Sequence, residues 1–109
     1  HKMIIAAPLL GPINLSRHLN GSIQSVSVSG ESGIDARICD YKWVLDIRRQ
    51  CVEKNIPFSY HQTGAHLIKD GKRYNIKRSL QISQAKRAGI DFMTEYGFVP
   101  KNEDCDKGE

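Results

Sequence analysis

The chain has 109 residues, 39% of them hydrophobic and 7% aromatic, with a formal net charge of +4. That length allows one domain at most, with little core to spare. It contains no stretch near the roughly 20 apolar residues of a membrane-crossing helix, so no membrane partner is expected. Cys39, Cys51 and Cys105 are odd in number and widely spaced. That argues against a disulfide framework and for a reducing, cytoplasmic setting.

Taken in order, residues 3–7 read as a short buried strand. Ile4–Ile5–Ala6–Ala7 barely alternates, as suits a parallel strand covered on both faces. It is too short for a signal peptide, and the chain reads as a complete short protein or as a piece of a longer one. Pro8 and Gly11–Pro12 break the strand. Leu15 to Leu19 is expected to form a short helix capped by Asn14 and ended by Asn20–Gly21. Residues 23–29, Ile-Gln-Ser-Val-Ser-Val-Ser, alternate with period two, and their serines are small enough to lie beneath a covering helix. Asp40 is a fitting cap for a helix from Tyr41 to about Lys54, with Val44, Ile47 and Cys51 on its inner face and Lys42–Asp46 and Arg49–Glu53 pairs on its outer one. Asn55 ends that helix. A strand follows over Phe58–Gln62, and a hairpin over 67–76 turns at Asp70–Gly71. Leu80 to Ala88 reads as a helix capped by Ser79 and stopped by Gly89. With so few large side chains, Trp43, Phe58, Tyr60, Tyr74 and Phe92 are expected to be structurally important.

Strand, helix, strand in this order is a βαβ unit with a right-handed parallel crossover. The expected architecture is α/β: a parallel sheet of three strands with crossover helices, plus a small hairpin excursion. Residues 1–100 form its single domain. Residues 101–109, with two lysines against four acids, form a flexible acidic tail. The edges of such a sheet need cover, from a missing N-terminal half or from a second copy in a homo-oligomer.

Sites in parallel α/β folds gather at the carboxyl ends of strands. Three such ends fall at residues 8–12, 29–33 and 61–64. In the second, Gly30 and Gly33 permit tight turns and close ligand approach. Glu31 could accept from an amine or ribose hydroxyl, or simply stabilise the turn; Ser32 could donate. Asp35 and Arg37 pair or hold the loop. Near the third end, His61 is either a proton carrier or ligand beside Glu31, or a plain polar residue. No cysteine–histidine cluster has metal-site spacing, so no metal is expected, and no catalytic residue is assigned. Between His66 and Arg87 lie seven Lys/Arg against one acid, Asp70. Lys69, Lys72, Arg73, Lys77 and Arg78, with Tyr74 among them, could hold phosphates or a nucleic-acid backbone. The plain alternative is a solvated hairpin and helix end.

Several of these segments together resemble one family. They are Pro8–Leu9–Leu10–Gly11–Pro12–Ile13, Gly30–Glu31–Ser32–Gly33 through Ala36–Arg37, Trp43–Val44 with Ile47–Arg48 and Gln50–Cys51, Gln62–Thr63–Gly64, and Gln84 to Ile90. The chain is similar over residues 4–92 to a phage-associated and bacterial family of unknown function related to radical S-adenosylmethionine enzymes. The resemblance implies a partial TIM-barrel-like fold, of which this chain is the C-terminal half. The longer parent would carry an iron–sulfur cluster on three N-terminal cysteines that this chain lacks. The chain alone would therefore hold no cofactor and be inactive. By the same resemblance, Gly30, Glu31, Ser32, Gly33 and Gln62 would face S-adenosylmethionine or substrate. Two departures are Ser29 in place of a usual glycine and His61 in place of a usual lysine.

Overall fold

The computed structural model describes residues 2–93. The expected tail and Cys105 lie outside them. Alternation builds the central strand. β1 (Lys2–Ala6), β2 (Ile23–Ser29) and, after the crossover, β4 (Phe58–Gln62) pair in parallel in the order β1-β2-β4. Val26 and Val28 oppose Phe58 and Tyr60 across the ladder and are all buried on one face. Burying a side chain such as Phe58 contributes roughly 1.5–3 kcal/mol.

The helix α1 (Tyr41–Glu53) follows as its sequence dictates. The Asp40 side chain accepts from the Lys42 N–H, and Val44, Ile47, Gln50 and Cys51 are buried. Asn55 at φ 57° turns the chain out of it. On the outer face Arg49 pairs with both Asp46 (2.8 Å) and Glu53 (2.7 Å), so Asp46 serves Arg49 rather than the expected Lys42. Cys51 is a core thiol, and burial pushes it up to about 11.

Four expectations are corrected. Residues 15–19 form a turn, not a helix. Asn14 Oδ1 accepts from the Ser16 N–H, and the Gln50 side chain holds the loop by accepting from the Leu15 N–H and donating to the Ile13 carbonyl. The His18 and Leu19 N–H both donate to the Leu15 carbonyl (2.7 and 3.1 Å) and the Asn20 N–H turns back to the His18 carbonyl (3.1 Å), so the segment closes after one turn. Ser79 is not a cap: a 3₁₀ turn (Arg78–Leu80) leads into α2 (Gln81–Arg87), which has no side-chain cap. Residues 2–6 are not covered on both faces, since Met3 and Ile5 are 58% and 65% exposed and no helix covers them or His61 among the described residues. Tyr74 is surface, not core, at 45% exposed.

The hairpin belongs to a second sheet. β5 (His66–Lys69) and β6 (Lys72–Asn75) pair antiparallel, with Asp70 and Gly71 both at positive φ in the turn, as a two-residue hairpin requires. A strand too short to read from sequence, β3 (Cys39–Asp40), runs parallel beside β5. The parallel sheet is open, and the described residues close no barrel. Its β4 edge is covered by the chain itself: Phe58 and Phe92 exchange two backbone hydrogen bonds of 2.8 Å, and Asp91 Oδ1 accepts from the Tyr60 N–H. Among the described residues no helix is long and apolar enough to cross a membrane.

Candidate functional site

The carboxyl ends of β2 and β4 do meet, as the fold class predicts, but they meet each other. The Gly30 N–H donates to the Gln62 carbonyl (3.1 Å), the Ala65 N–H to the Glu31 carbonyl (2.8 Å), and Gln62 Nε2 to the Gly30 carbonyl (3.3 Å). A Cβ on Gly30 would stand 2.3 Å from the Thr63 carbonyl oxygen, and one on Gly64 would stand 2.9 Å from the Glu31 backbone. These glycines serve backbone-to-backbone packing. Glu31 is engaged as well. The Arg37 N–H and Nε donate to Oε1 (2.8 and 2.9 Å), and Nη2 donates to Oε2 (2.9 Å). Those bonds hold the carboxyl down to about 2. Ser32 is half-buried, Gly33 is exposed, and His61 is exposed with no hydrogen bond to Glu31. The turn-stabilising reading of Glu31 is the one its geometry favours.

No group of three or more His, Cys, Asp or Glu among the described residues can hold a metal. Cys39 and Cys51 are buried in separate elements, β3 and α1. The described residues therefore do not fit an iron–sulfur cluster.

A different place has the form of a site. Between the β5–β6 hairpin and α2 runs a groove of about 600 Å³, within the range of small-ligand pockets. Tyr41, Tyr60 and Leu67 line it from the core side, Tyr74 and Ile76 from the hairpin, and Leu80, Gln84 and Arg87 from the 3₁₀ turn and α2. Lys69, Lys77 and Arg87 are its cations, and no carboxylate lines it among the described residues. Lys69 Nζ lies 5.2 Å from the centroid of the Tyr41 ring, a cation–π distance. Tyr41 and Tyr60 pack with centroids 6.1 Å apart, and burial pushes both hydroxyls above their ordinary range.

The expected basic cluster divides around this groove. Lys69 and Lys77 line it. Lys72 stands directly opposite Lys69 in the ladder, hence on the same hairpin face, while Arg73 opposes Ile68 on the other. Arg78 sits in the 3₁₀ turn, outside the lining. Lys86 is engaged by Asp91 at 3.1 Å. Arg87 belongs to the basic block from His66 to Arg87, whereas no sequence signal marks Tyr41 or Tyr60 as site residues. Tyr41 stands first in α1, directly after the two-residue β3 that runs beside the hairpin, and β3 has no sequence signature.

The chain belongs to the family described as Protein of unknown function (DUF5131), whose model matches residues 1–95. No curated protein and no solved structure matches it. That family description names no chemistry.

Proposed function

We propose that the chain is a binding module for single-stranded nucleic acid, held in the groove between the β5–β6 hairpin and α2. The observation that carries this reading is the lining: Lys69, Lys77 and Arg87 beside Tyr41 and Tyr74, with no carboxylate there among the described residues. Cations that track a phosphate backbone beside aromatic faces that stack bases are what single-strand binding needs. The ladder adds support. Lys69 and Lys72 are directly opposed, and like charges in that position destabilise a sheet unless something offsets them. A bound phosphate does so. Arg73 and Arg78 lie outside the groove and extend the positive field that steers an anion toward it.

The test is a titration of the full chain with a fluorescent single-stranded oligonucleotide at several salt concentrations. Three phosphate contacts give a log–log salt slope of about −2, at roughly −0.7 per contact for single strands. Absence of binding at low salt, or binding indifferent to salt, would sink the reading.

The sheet's second face favours a further reading. Parallel sheets are ordinarily covered on both faces, yet Met3 and Ile5 stand exposed on one face of β1, whose outer edge pairs with no strand among the described residues. We infer that this sheet is one section of a larger parallel α/β protein, completed by further strands of the same polypeptide. The barrel and the radical chemistry implied by the family resemblance belong to that larger protein, with its cluster cysteines in the added chain. The intact mass of the native gene product decides it. A mass well above 12.3 kDa supports this reading, and a mass at that value overturns it in favour of cover by a second copy.

A further inference from the structure

The floor of the groove holds a group that phosphate binding does not use. Tyr60 is 1% exposed and lines the groove, and its hydroxyl has no hydrogen-bond partner among the described residues. Buried polar groups are nearly always paired, and an orphan calls for a reason. The residue is anchored through its backbone, whose N–H is tied to Asp91 and whose carbonyl accepts from Lys86 Nζ at 3.4 Å, and the Tyr41 ring packs against its ring. At 1% exposure the side chain is enclosed by its neighbours. Burial keeps it protonated, so it retains a proton to donate.

We propose that Tyr60 reads a nucleobase: one base of the bound strand enters the groove, stacks against Tyr74 at the rim, and accepts a hydrogen bond from the Tyr60 hydroxyl. This rests on the groove being a nucleic-acid site and adds a contact to the base, where Lys69, Lys77 and Arg87 contact only the backbone. A protein with backbone contacts alone is indifferent to whether bases are present. One with a seated base is not.

The experiment compares a single-stranded oligonucleotide with an abasic phosphodiester oligomer of the same length and charge, both titrated into the full chain. The wild-type protein binds the base-bearing strand more tightly. Tyr60→Phe, which keeps the ring and removes only the orphan hydroxyl, weakens that strand about tenfold and leaves the abasic oligomer unchanged, the size of one hydrogen bond to a site group. Tyr74→Ala, at an exposed position that leaves the core intact, weakens the base-bearing strand by roughly 5- to 150-fold, the range of one lost stacking contact. A free mononucleotide that competes for the site with equal effect assigns the ligand as the single nucleotide unit; failure to compete assigns it as a strand. If both oligomers bind the wild type equally, or if neither variant separates them, base reading is overturned and the phosphate groove stands. If neither oligomer binds the wild type, both readings fall together.

Discussion

The meeting of the β2 and β4 ends and the groove beside the hairpin look alike as residue strings, each a short polar run punctuated by glycine. They differ in what their polar groups do. At the strand ends the central candidates are engaged: Gly30 against Thr63, Glu31 with Arg37, Gln62 with Gly30. In the groove, among the described residues, the cations meet no carboxylate and a buried hydroxyl has no partner. A functional-looking turn is thus a fastening, and a solvated-looking hairpin is one wall of a groove. Availability separates them, because a group already hydrogen-bonded and ion-paired must lose those partners before it can serve a ligand.

That contrast breaks most sharply at Gly30. Gly30→Ala places a Cβ 2.3 Å from a backbone oxygen, where no flexible side chain can give way. The expected loss is about 3 kcal/mol, the upper part of the overpacking range, read as a lower urea midpoint. Gly71→Ala, in open space with φ 78°, is expected to cost only about 1 kcal/mol from left-handed backbone strain. Equal costs at the two positions would show that the strand ends are not packed backbone to backbone.

On the groove side, replacing Lys69, Lys77 and Arg87 together by alanine is expected to weaken single-strand binding about 30-fold, near 2 kcal/mol. It should flatten the salt slope by about 2. Unfolding free energy should move by no more than about 0.5 kcal/mol for each surface substitution. Glu31→Gln at the strand ends should leave the same binding unchanged. Loss of binding in the Glu31 variant would move the site to the strand ends.

The frame holding both regions was legible where local signals agree. Period-two alternation gave β2, and Asp40 followed by apolar residues at helical spacing gave α1. Asp70–Gly71 gave the hairpin turn, and Asn55 and Gly89 gave the helix ends. Asp40→Ala tests this legible part: loss of the cap is expected to cost about 1 kcal/mol, measured by thermal or urea unfolding. What stayed illegible depends on distant partners. Gln50 turns residues 13–15 into a loop from 35 and 37 residues away. Cys39–Asp40 is a strand only because β5 lies beside it. The groove shares that origin, since Tyr41, Tyr74 and Arg87 converge through tertiary packing that no local pattern encodes. Glycine, acid and serine at a strand end gave a motif, but whether Glu31 is free depends on Arg37, six residues on.

The smallest expected effect addresses Glu31 directly. Its carboxyl has a folded value of about 2 against 4.5 unperturbed, because Arg37 hydrogen-bonds and neutralises the charged form. A depressed carboxylate adds stability that is present above pH 4.5 and is lost as pH falls toward 2. The pair is solvent-facing, so the contribution is modest and screened by salt. In Glu31→Gln the amide oxygen still accepts from the Arg37 N–H, but the charge is gone and nothing titrates. Urea midpoints measured at pH 6 and pH 3 should therefore fall further for the wild type than for the variant, with the gap narrowing as salt is raised. An identical fall in both would mean that Arg37 does not hold Glu31 in solution. The strand-end carboxylate would then be as available to a ligand as the groove's cations.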